Sequence, residues 1–332
     1  MPESFNRRQM LSRIGGAACG LAVSGSLVPG SDSAPAGKPR PRVVIARDEA
    51  VTGGKMEGHR ELLRRMLDAS MQKLTGQADA KAAWRKLFKS GDRVGIKVNT
   101  LGLATQPVVV DAVVAGLRSA DVPAENIIIW DRFDSELTAA GYKLNRSKTG
   151  VQCYGTDAES YGSGYQKEVE TSGRIGSCFS KIVAEQVDAL ICVPILKDHP
   201  FAGVTLGMKN FFGAIHNPNK YHEQHCDPYV ADVVEHRFIR PRWRLTVCDG
   251  TRGQYNAGPV RNPGFAWSLG GMIVGTDFVA VDAVGADLLE QQRQAKGMRT
   301  LAEEKRPPVH IKTAGARGLG VADMAAIERV EI

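Results

Sequence analysis

The chain has 332 residues, 43% of them hydrophobic and 24% charged, which is typical of a globular protein with a large core. Its formal net charge is +7, and the basic residues are spread along the sequence rather than gathered into Lys/Arg blocks with aromatic residues between them. This distribution disfavours nucleic-acid binding and fits a small anionic molecule as the partner. After residue 36, no run reaches the ~18 apolar residues that a membrane span needs, so we expect no stable membrane anchor.

The first predicted element, residues 1–36, is a twin-arginine signal peptide. The motif N-R-R-Q-M-L (6–11) is followed by a mildly apolar run at 14–28 and by A-P-A (34–36), which offers a cleavage site before Gly37. This order predicts that the twin-arginine translocase exports the folded chain and that the protein is periplasmic. The alternative is a disordered basic N-terminus.

Strand-like and helical patterns alternate along the rest of the chain. Apolar or β-branched runs predict strands at 43–46, 92–98, 126–130, 188–194, 245–247, 272–274 and 327–332. Helical spacing of apolar residues predicts helices at 58–74, 80–88, 108–117, 179–186, 204–212, 279–289, 301–305 and 321–326.

The alternation predicts an α/β fold with a mainly parallel open sheet and helices on both faces. We expect residues 42–332 to form a single domain. The interval at about 133–176 is polar and rich in Gly, Ser and Tyr, so it is expected to be an inserted polar lobe of short strands and loops.

Polar residues follow the predicted strands at several points that are distant in sequence. In an open parallel sheet the carboxyl ends of the strands share one edge, and the ligand crevice lies at that edge. We therefore expect residues at the strand ends to converge, with Lys97, Asn99, Asp131, Lys197, His199, Asp249 and Asp277 as the candidates. The histidines from His216 to His225 are expected to share one pocket with Lys97, Asp131, Lys197 and His199.

Lys197 and His199 directly follow a buried strand, which favours an anion-binding lysine beside a general base or metal ligand. The alternative is a loop of solvated charges. Asp131 and Asp249 each end an apolar strand and could act as acid/base groups or metal ligands. The alternative, which we consider equally supported, is that each Asp caps a helix or forms a turn, as Asp residues at strand ends often do. These four residues are the predicted catalytic group.

The stretch G-V-T-L-G-M-K-N (203–210) could present backbone N–H groups to an anion at a helix start. Its Lys209 and Asn210, together with Lys97 and Asn99, are the predicted substrate-binding residues. A surface position for the Lys209-Asn210 pair is the alternative.

Five of the seven histidines lie between His199 and His236. His222 and His225 are spaced as if one helical turn apart, with Asp227 close by and His216 upstream. This spacing could supply ligands to a divalent transition metal. The predicted metal group is thus His216, His222, His225 and Asp227.

Several familiar motifs are absent from the sequence. The Walker order G-x-x-x-x-G-K, the dinucleotide motif G-x-G-x-x-G after the first strand and the G-x-S-x-G elbow do not occur. Five cysteines follow the leader, none in a C-x-x-C pair, so an iron–sulfur cluster is not supported. Their odd number disfavours complete disulfide pairing.

Four segments resemble the family known as domain of unknown function 362. They are V-G-I-K-V-N (94–99), V-P-I-L-K-D-H (193–199), G-V-T-L-G-M-K-N-F-F-G (203–213) and P-P-V-H-I-K-T-A-G-A-R-G-L-G-V-A-D (307–323). The resemblance covers almost all of residues 42–332 and implies the fold and the site region rather than a reaction. Some members of that family carry ferredoxin-like cysteine clusters, whereas this chain has none.

The leading functional expectation is an exported, metal-assisted enzyme that acts on a small anionic substrate. A non-catalytic periplasmic protein that binds a solute or a metal is one alternative. An oxidoreductase that acquires an organic cofactor before export is another.

Overall fold

The structure, a computed structural model, describes residues 40–52 and 56–332, so the predicted leader lies outside the described residues. The strands are β1 (Arg42–Arg47), β2 (Val94–Val98), β3 (Ile127–Trp130), β4 (Gln152–Cys153), β5 (Glu170–Ser172), β6 (Ile175–Ser177), β7 (Ala189–Val193), β8 (Ile195–His199), β9 (Gly203–Val204), β10 (Trp243–Gln254), β11 (Ala266–Trp267), β12 (Gly271–Gly275) and β13 (Glu328–Glu331). The α-helices are α1 (Arg60–Thr75), α2 (Ala80–Leu87), α3 (Pro107–Ser119), α4 (Asp134–Ala139), α5 (Leu206–Asn210), α6 (Tyr229–Glu235), α7 (Phe278–Ala295) and α8 (Val309–Ala316).

One large mixed sheet organises the domain, in the order β13-β1-β12-β10-β7-β2-β3-β4. Strands β4, β3, β2, β7 and β10 run parallel to one another, and β8 pairs parallel to β10 beyond the end of β7. The antiparallel pairs are β1 with β12, β10 with β12 and β11, and β8 with β9. The predicted α/β fold with a mainly parallel sheet is confirmed.

The central strands are apolar at consecutive positions because both of their faces are covered. In β3, Ile127 and Ile129 face a core that contains residues of α1, α2 and α3. Ile128 and Trp130 face the opposite core, which contains residues of α5, α6, α7 and α8. The alternation of side chains along the strand thus explains the helices on both faces.

Capping residues set the limits of several helices. The Asp79 side chain accepts the backbone N–H of Ala82 at the start of α2, and Asp277 does the same for Ala280 at the start of α7. Helix α1 ends at Gly76, which has a left-handed φ of 71° and donates its N–H to the Gln72 oxygen. Glycine suits this position because it adopts positive φ without steric cost.

The predicted insertion at 133–176 is partly built into the main sheet. Strand β4 pairs parallel with β3, and beyond it the N–H of Thr156 donates to the Asp131 oxygen at 3.0 Å. Strands β5 and β6 form a separate antiparallel hairpin. The interval therefore contributes an edge strand as well as a peripheral lobe.

The single helix predicted at 204–212 is wrong. The segment begins as β9, continues as the five-residue α5 and ends in a 3-10 helix at Phe211–Ala214. Leu206, the first residue of α5, has a left-handed φ of 47°, so the backbone does not run as one helix from Val204. Three corrections are needed near the C-terminus: residues 301–305 form turns, the helix predicted at 321–326 is only a 3-10 helix at Met324–Ala326, and α8 lies in a stretch where no helix was predicted.

Within the described ranges, none of the helices combines the length and the apolar character that crossing a bilayer requires.

Candidate functional site

The first site residues lie where neighbouring parallel strands end. Lys97 of β2 lies opposite Trp130 in the register of the sheet. Trp130 is the last residue of β3, and Asp131 is the residue after it. Strand β7 leads into β8, which contains Lys197 and His199. The topology therefore places these side chains along one edge of the sheet, as strand order alone would predict.

These residues line a cavity of about 120 Å³ at that edge. It is smaller than the roughly 300–1,000 Å³ of pockets that hold drug-sized ligands. The structure brings eight of the twelve predicted site residues to its wall, namely Lys97, Asn99, Asp131, Lys197, His199, Lys209, Asn210 and His222.

Lys97 and Asp131 form a buried ion pair in the wall of the cavity. The Nζ of Lys97 donates to Oδ1 of Asp131 at 2.7 Å, to Oδ1 of Asn210 at 3.0 Å and to the Val98 oxygen at 2.6 Å. The other carboxylate oxygen of Asp131 accepts the N–H and the hydroxyl of Thr100, both at 2.8 Å. Each partner of the pair is thus held by several further hydrogen bonds, as a buried ion pair requires.

Gly213 lies directly against this ion pair. A Cβ at this position would be 2.9 Å from Oδ1 of Asp131 and 2.9 Å from Cε of Lys97. Only glycine lets the 3-10 helix after α5 approach the pair so closely.

Lys197 has three oxygen acceptors, which match the three N–H groups of an ammonium. Its Nζ donates to Oδ1 of Asn99 at 2.8 Å and to the backbone oxygens of Leu101 at 2.6 Å and Leu103 at 2.9 Å. Burial lowers the pKa of Lys197 to about 7, although the negative charge of nearby Asp131 favours the protonated lysine. Lys197 therefore holds the loop after β2 in place at the edge of the cavity.

His199 is buried and has a defined tautomer. Its Nδ1 accepts the backbone N–H groups of Phe201 at 3.2 Å and Ala202 at 3.1 Å. A neutral imidazole that accepts at Nδ1 carries its proton on Nε2. Burial lowers the pKa of His199, which keeps the ring neutral. His199 thus offers an N–H donor, and this tautomer disfavours the predicted roles of general base and metal ligand through Nε2.

Lys209 and His222 are in direct contact. The Nζ of Lys209 lies 3.2 Å from Nε2 of His222 and 3.8 Å from the centre of the Phe212 ring. The Nδ1 of His222 lies 3.3 Å from the Asn219 oxygen and donates to it, so its Nε2 is the acceptor toward Lys209. Burial lowers the pKa of Lys209 to about 8 and that of His222 to about 4.

The two histidine rings stack at 5.5 Å between centroids, with an angle of 21° between their planes. His199 presents Nε2–H, whereas the unprotonated Nε2 of His222 faces Lys209. Two neighbouring neutral imidazoles with opposite tautomers give the cavity both a hydrogen-bond donor and a hydrogen-bond acceptor.

Sequence reasoning missed two charged residues of the cavity wall, Arg132 and Glu136. Arg132 immediately follows Asp131, and its Nε is buried without a hydrogen-bond partner in the described part of the chain. Burial raises the pKa of Glu136, whose carboxyl oxygen lies 3.2 Å from the Thr100 hydroxyl oxygen. The only sequence signal for either residue was its position after β3.

The cavity wall is cationic on balance. It carries the side chains of three lysines and one arginine against two carboxylates, and one of those carboxylates is already paired with Lys97. Buried like charges of this kind are costly unless a counter-charge joins them. The electrostatics therefore favour an anionic ligand.

Asp249, predicted as catalytic, does not line this cavity. It is fully buried and accepts the backbone N–H of Gln106 at 2.8 Å, where α3 begins, and both polar hydrogens of Thr251. Burial raises the pKa of Asp249 to about 6. Its position is that of a cap for a helix start, which was the alternative interpretation of a strand-terminal Asp.

The predicted metal ligands are not gathered at one place. His222 lines the cavity, whereas His216, His225 and Asp227 do not. His216 is exposed and meets the Tyr165 ring edge-on at 5.1 Å. Across residues 40–52 and 56–332, no three His, Cys, Asp or Glu side chains form a group that could hold a metal ion.

The predicted helical turn between His222 and His225 is also wrong. His222 directly follows the 3-10 helix Pro218–Tyr221, whereas His225 lies within the next 3-10 helix, Gln224–Cys226, and has a left-handed φ of 60°. The i, i+3 spacing therefore does not place both rings on one helix face.

Asp282 is a buried residue that supports the site from a distance. Its two carboxylate oxygens accept the N–H groups of Gly207 and Met208, each at 2.8 Å, at the start of α5. Because α5 carries Lys209 and Asn210, this carboxylate of α7 positions two cavity residues. Sequence reasoning located Asp282 within a helix but gave it no role.

The five cysteines after the leader are free thiols. Cys192 contacts the site, since its Sγ lies 3.3 Å from Nδ2 of Asn210. Burial raises the pKa of Cys192 to about 12, so it is present as the thiol.

A comparison with family models matches residues 94–287 to the domain of unknown function DUF362, more than half of the chain. No curated protein matches the chain in sequence. The matched range contains every cavity residue named above and Asp282. The chain belongs to the DUF362 family.

Proposed function

We propose that the chain is an enzyme that binds a small carboxylate or phosphate substrate in the cavity at the sheet edge. The observation that carries the proposal is Lys209, a buried lysine of the cavity wall with no carboxylate within ion-pair distance among the described residues. An ammonium in this position is desolvated without compensation until an anion binds.

The two histidines support catalysis in addition to binding. The Nε2–H of His199 can donate to a substrate oxygen, and Nε2 of His222 accepts a hydrogen bond from Lys209. A neutral imidazole that donates a hydrogen bond can stabilise negative charge that develops on a substrate oxygen. In this proposal Lys97, Asn99, Asp131 and Asn210 form the fixed frame around the reacting groups, and Lys197 holds the loop that closes one side.

A metal ion is not part of this proposal. Lysine side chains around the cavity oppose a divalent cation, and the predicted ligands are separated. An organic cofactor gains no support either, because the cavity is small compared with pockets that enclose large ligands.

We also propose that residues 1–36 direct export to the periplasm by the twin-arginine route. The support is the order of the sequence signals: the arginine pair, the mildly apolar run and the A-P-A exit.

Calorimetric titration with inorganic phosphate and with malonate tests anion binding. Lys209→Gln should weaken the better-bound anion about tenfold or more, because a hydrogen bond to a charged group contributes about 1.5–3 kcal/mol. Lys220→Gln is the matched control: Lys220 is exposed, does not line the cavity and should leave the affinity unchanged. Equal affinities for the wild type and Lys209→Gln would remove the basis of the proposal.

A non-catalytic solute-binding protein is the second candidate, favoured by the rigidity of the frame. All three N–H groups of both Lys97 and Lys197 are already committed to protein oxygens, as in a preformed binding site. Mass spectrometry of the small molecule released from the purified protein, followed by NMR of that molecule incubated with fresh protein, separates the two. Chemical conversion supports the enzyme, and unchanged release supports the binding protein.

A further inference from the structure

The three lysines of the cavity differ in how many of their N–H donors are in use. A lysine ammonium has three N–H donors. Lys97 donates to three oxygens at 2.6–3.0 Å, and Lys197 donates to three at 2.6–2.9 Å. Lys209 contacts a single acceptor in the described part of the chain, Nε2 of His222. Lys209 is therefore the lysine whose nitrogen is free to react.

The surroundings of Lys209 make its unprotonated form easier to reach than that of an exposed lysine. Its single acceptor is the neutral imidazole of His222, and the Phe212 ring centre lies 3.8 Å from its nitrogen. Burial lowers the pKa of Lys209 to about 8, closer to neutrality than that of an exposed lysine. Desolvation in an apolar or cationic surrounding is how proteins activate lysine as a nucleophile.

We infer that Lys209 is a nucleophile that forms an imine with the carbonyl carbon of a small oxo acid bound in the cavity. The inference deepens the proposed function and rests on it, since the substrate's carboxylate is the anion that the cationic wall attracts. In the described structure the Nε2–H of His199, in the wall of the cavity, is free to donate to that carboxylate.

The step balances without an oxidant or a reductant. The Lys209 ammonium releases a proton to solvent water, and the free amine, held by its contact with Nε2 of His222, forms a C–N bond to the carbonyl carbon as the C=O π bond breaks. One proton then moves from the nitrogen to the former carbonyl oxygen, and solvent returns the released proton to that oxygen. The C–O bond then breaks and water leaves, so ammonium and carbonyl become a protonated imine and one water.

Borohydride trapping with pyruvate tests the inference. The purified full chain is incubated with pyruvate and sodium borohydride, which reduces an imine to a stable amine, and is then mapped by tryptic mass spectrometry. The expected result is one reduced adduct on Lys209. Lactate, which has the carboxylate but a hydroxyl in place of the carbonyl, should give no adduct and should reduce labelling by pyruvate.

Two variants control the experiment. Lys209→Arg keeps the cation but cannot form an imine, so it should lose the adduct and still bind lactate, with a wild-type melting temperature as the check of folding. Lys220→Arg, on the surface, should be labelled like the wild type. Because the wild-type peptide map itself identifies the modified residue, the test does not depend on the Lys209 variant folding.

The outcomes separate the two proposals. Lactate binding without any adduct, or an adduct on Lys97, Lys197 or surface lysines alone, overturns the imine and leaves the anion-binding enzyme standing. Loss of both lactate binding and labelling overturns both.

Discussion

Lys197 and Lys209 both have pKa values that burial moves close to neutrality, to about 7 and about 8. A bound anion favours the charged form of each lysine and so raises its pKa. Anion binding to this cavity is therefore coupled to proton uptake by the two side chains.

The coupling predicts that anion affinity falls as the pH rises. Below pH 7 both lysines are charged before the anion arrives. Between about pH 7 and pH 9 the free protein loses these protons. Because the anion binds to the protonated lysines, binding must then take up protons, and the affinity decreases with each unit of increasing pH. Titration calorimetry at pH 6, 7, 8 and 9, in buffers of different ionisation enthalpy, should show falling affinity with proton uptake.

A control and a contradiction follow from the same scheme. Lys209→Gln should flatten the pH dependence above pH 7, while Lys220→Gln keeps the wild-type slope. A constant affinity across the whole range, with no proton uptake, would contradict the coupling.

The sequence predicted which polar residues meet at the site better than it predicted what they do there. Lys97, Asp131, Lys197 and His199 could be placed together because parallel strands share an edge. The tautomer of His199 could not, since it depends on two backbone N–H groups that the loop after β8 turns toward the ring. Asp249 looked equivalent to Asp131, yet only contacts in three dimensions show which of the two faces the cavity.

At the scale of elements, α5 depends on a carboxylate from another helix. A helix of five residues has almost no intrinsic stability. Asp282 of α7 supplies acceptors for the N–H groups of its second and third residues, and a Cβ on Gly207 would lie 3.0 Å from that carboxylate. The position of Lys209 is thus set from a point 73 residues further along the chain.

Asp282→Ala should destabilise the protein by about 2 kcal/mol or more, because it leaves two buried N–H groups without an acceptor. Asp282→Asn keeps one acceptor oxygen and should lose less. Urea unfolding measures both, and calorimetry should show weaker anion binding wherever α5 is displaced.

The matched control is Asp287→Ala on the same helix. Asp287 is partly exposed and pairs with Arg329 at 3.0 Å near the surface, so its loss should cost no more than about 1 kcal/mol. Equal effects of the two alanine variants would show that Asp282 does not anchor α5.

Element prediction succeeded where the periodic signal was long and failed where a distant contact intervenes. Strands β2, β3 and β7 and helices α1, α2 and α3 were predicted within two residues of their bounds, and α7 was predicted with its start one residue late and its end six residues short. The helix predicted at 204–212 failed because Leu206 takes positive φ and Asp282 starts α5 anew. The turn at His222–His225 failed because a pattern of four residues cannot reveal the left-handed backbone between them.

At the scale of the whole molecule, the export proposal makes the leader separable from the described domain. Expressed in a bacterium with a twin-arginine translocase, the protein should be recovered from the periplasm with a start near Gly37, as read by mass spectrometry. Arg7→Lys combined with Arg8→Lys should hold it in the cytoplasm with the leader intact.

Arg13→Lys is the matched control, since it changes a leader arginine outside the pair and should leave export intact. Continued export of the double variant would contradict the twin-arginine proposal. It would not affect the proposals about the cavity and its chemistry.

The pairing of β1 with β13 has a consequence for the order in which the chain can fold. Arg42 opposes Glu328, so the first and last strands of the described domain are neighbours in the sheet although 286 positions separate these two residues. A ribosome releases the N-terminal strand long before its partner exists, and contacts so remote in sequence form late. During synthesis β1 therefore lacks its outer partner. That edge of the sheet can be completed only after β13 has left the ribosome, and an export route that accepts folded cargo can act only after that.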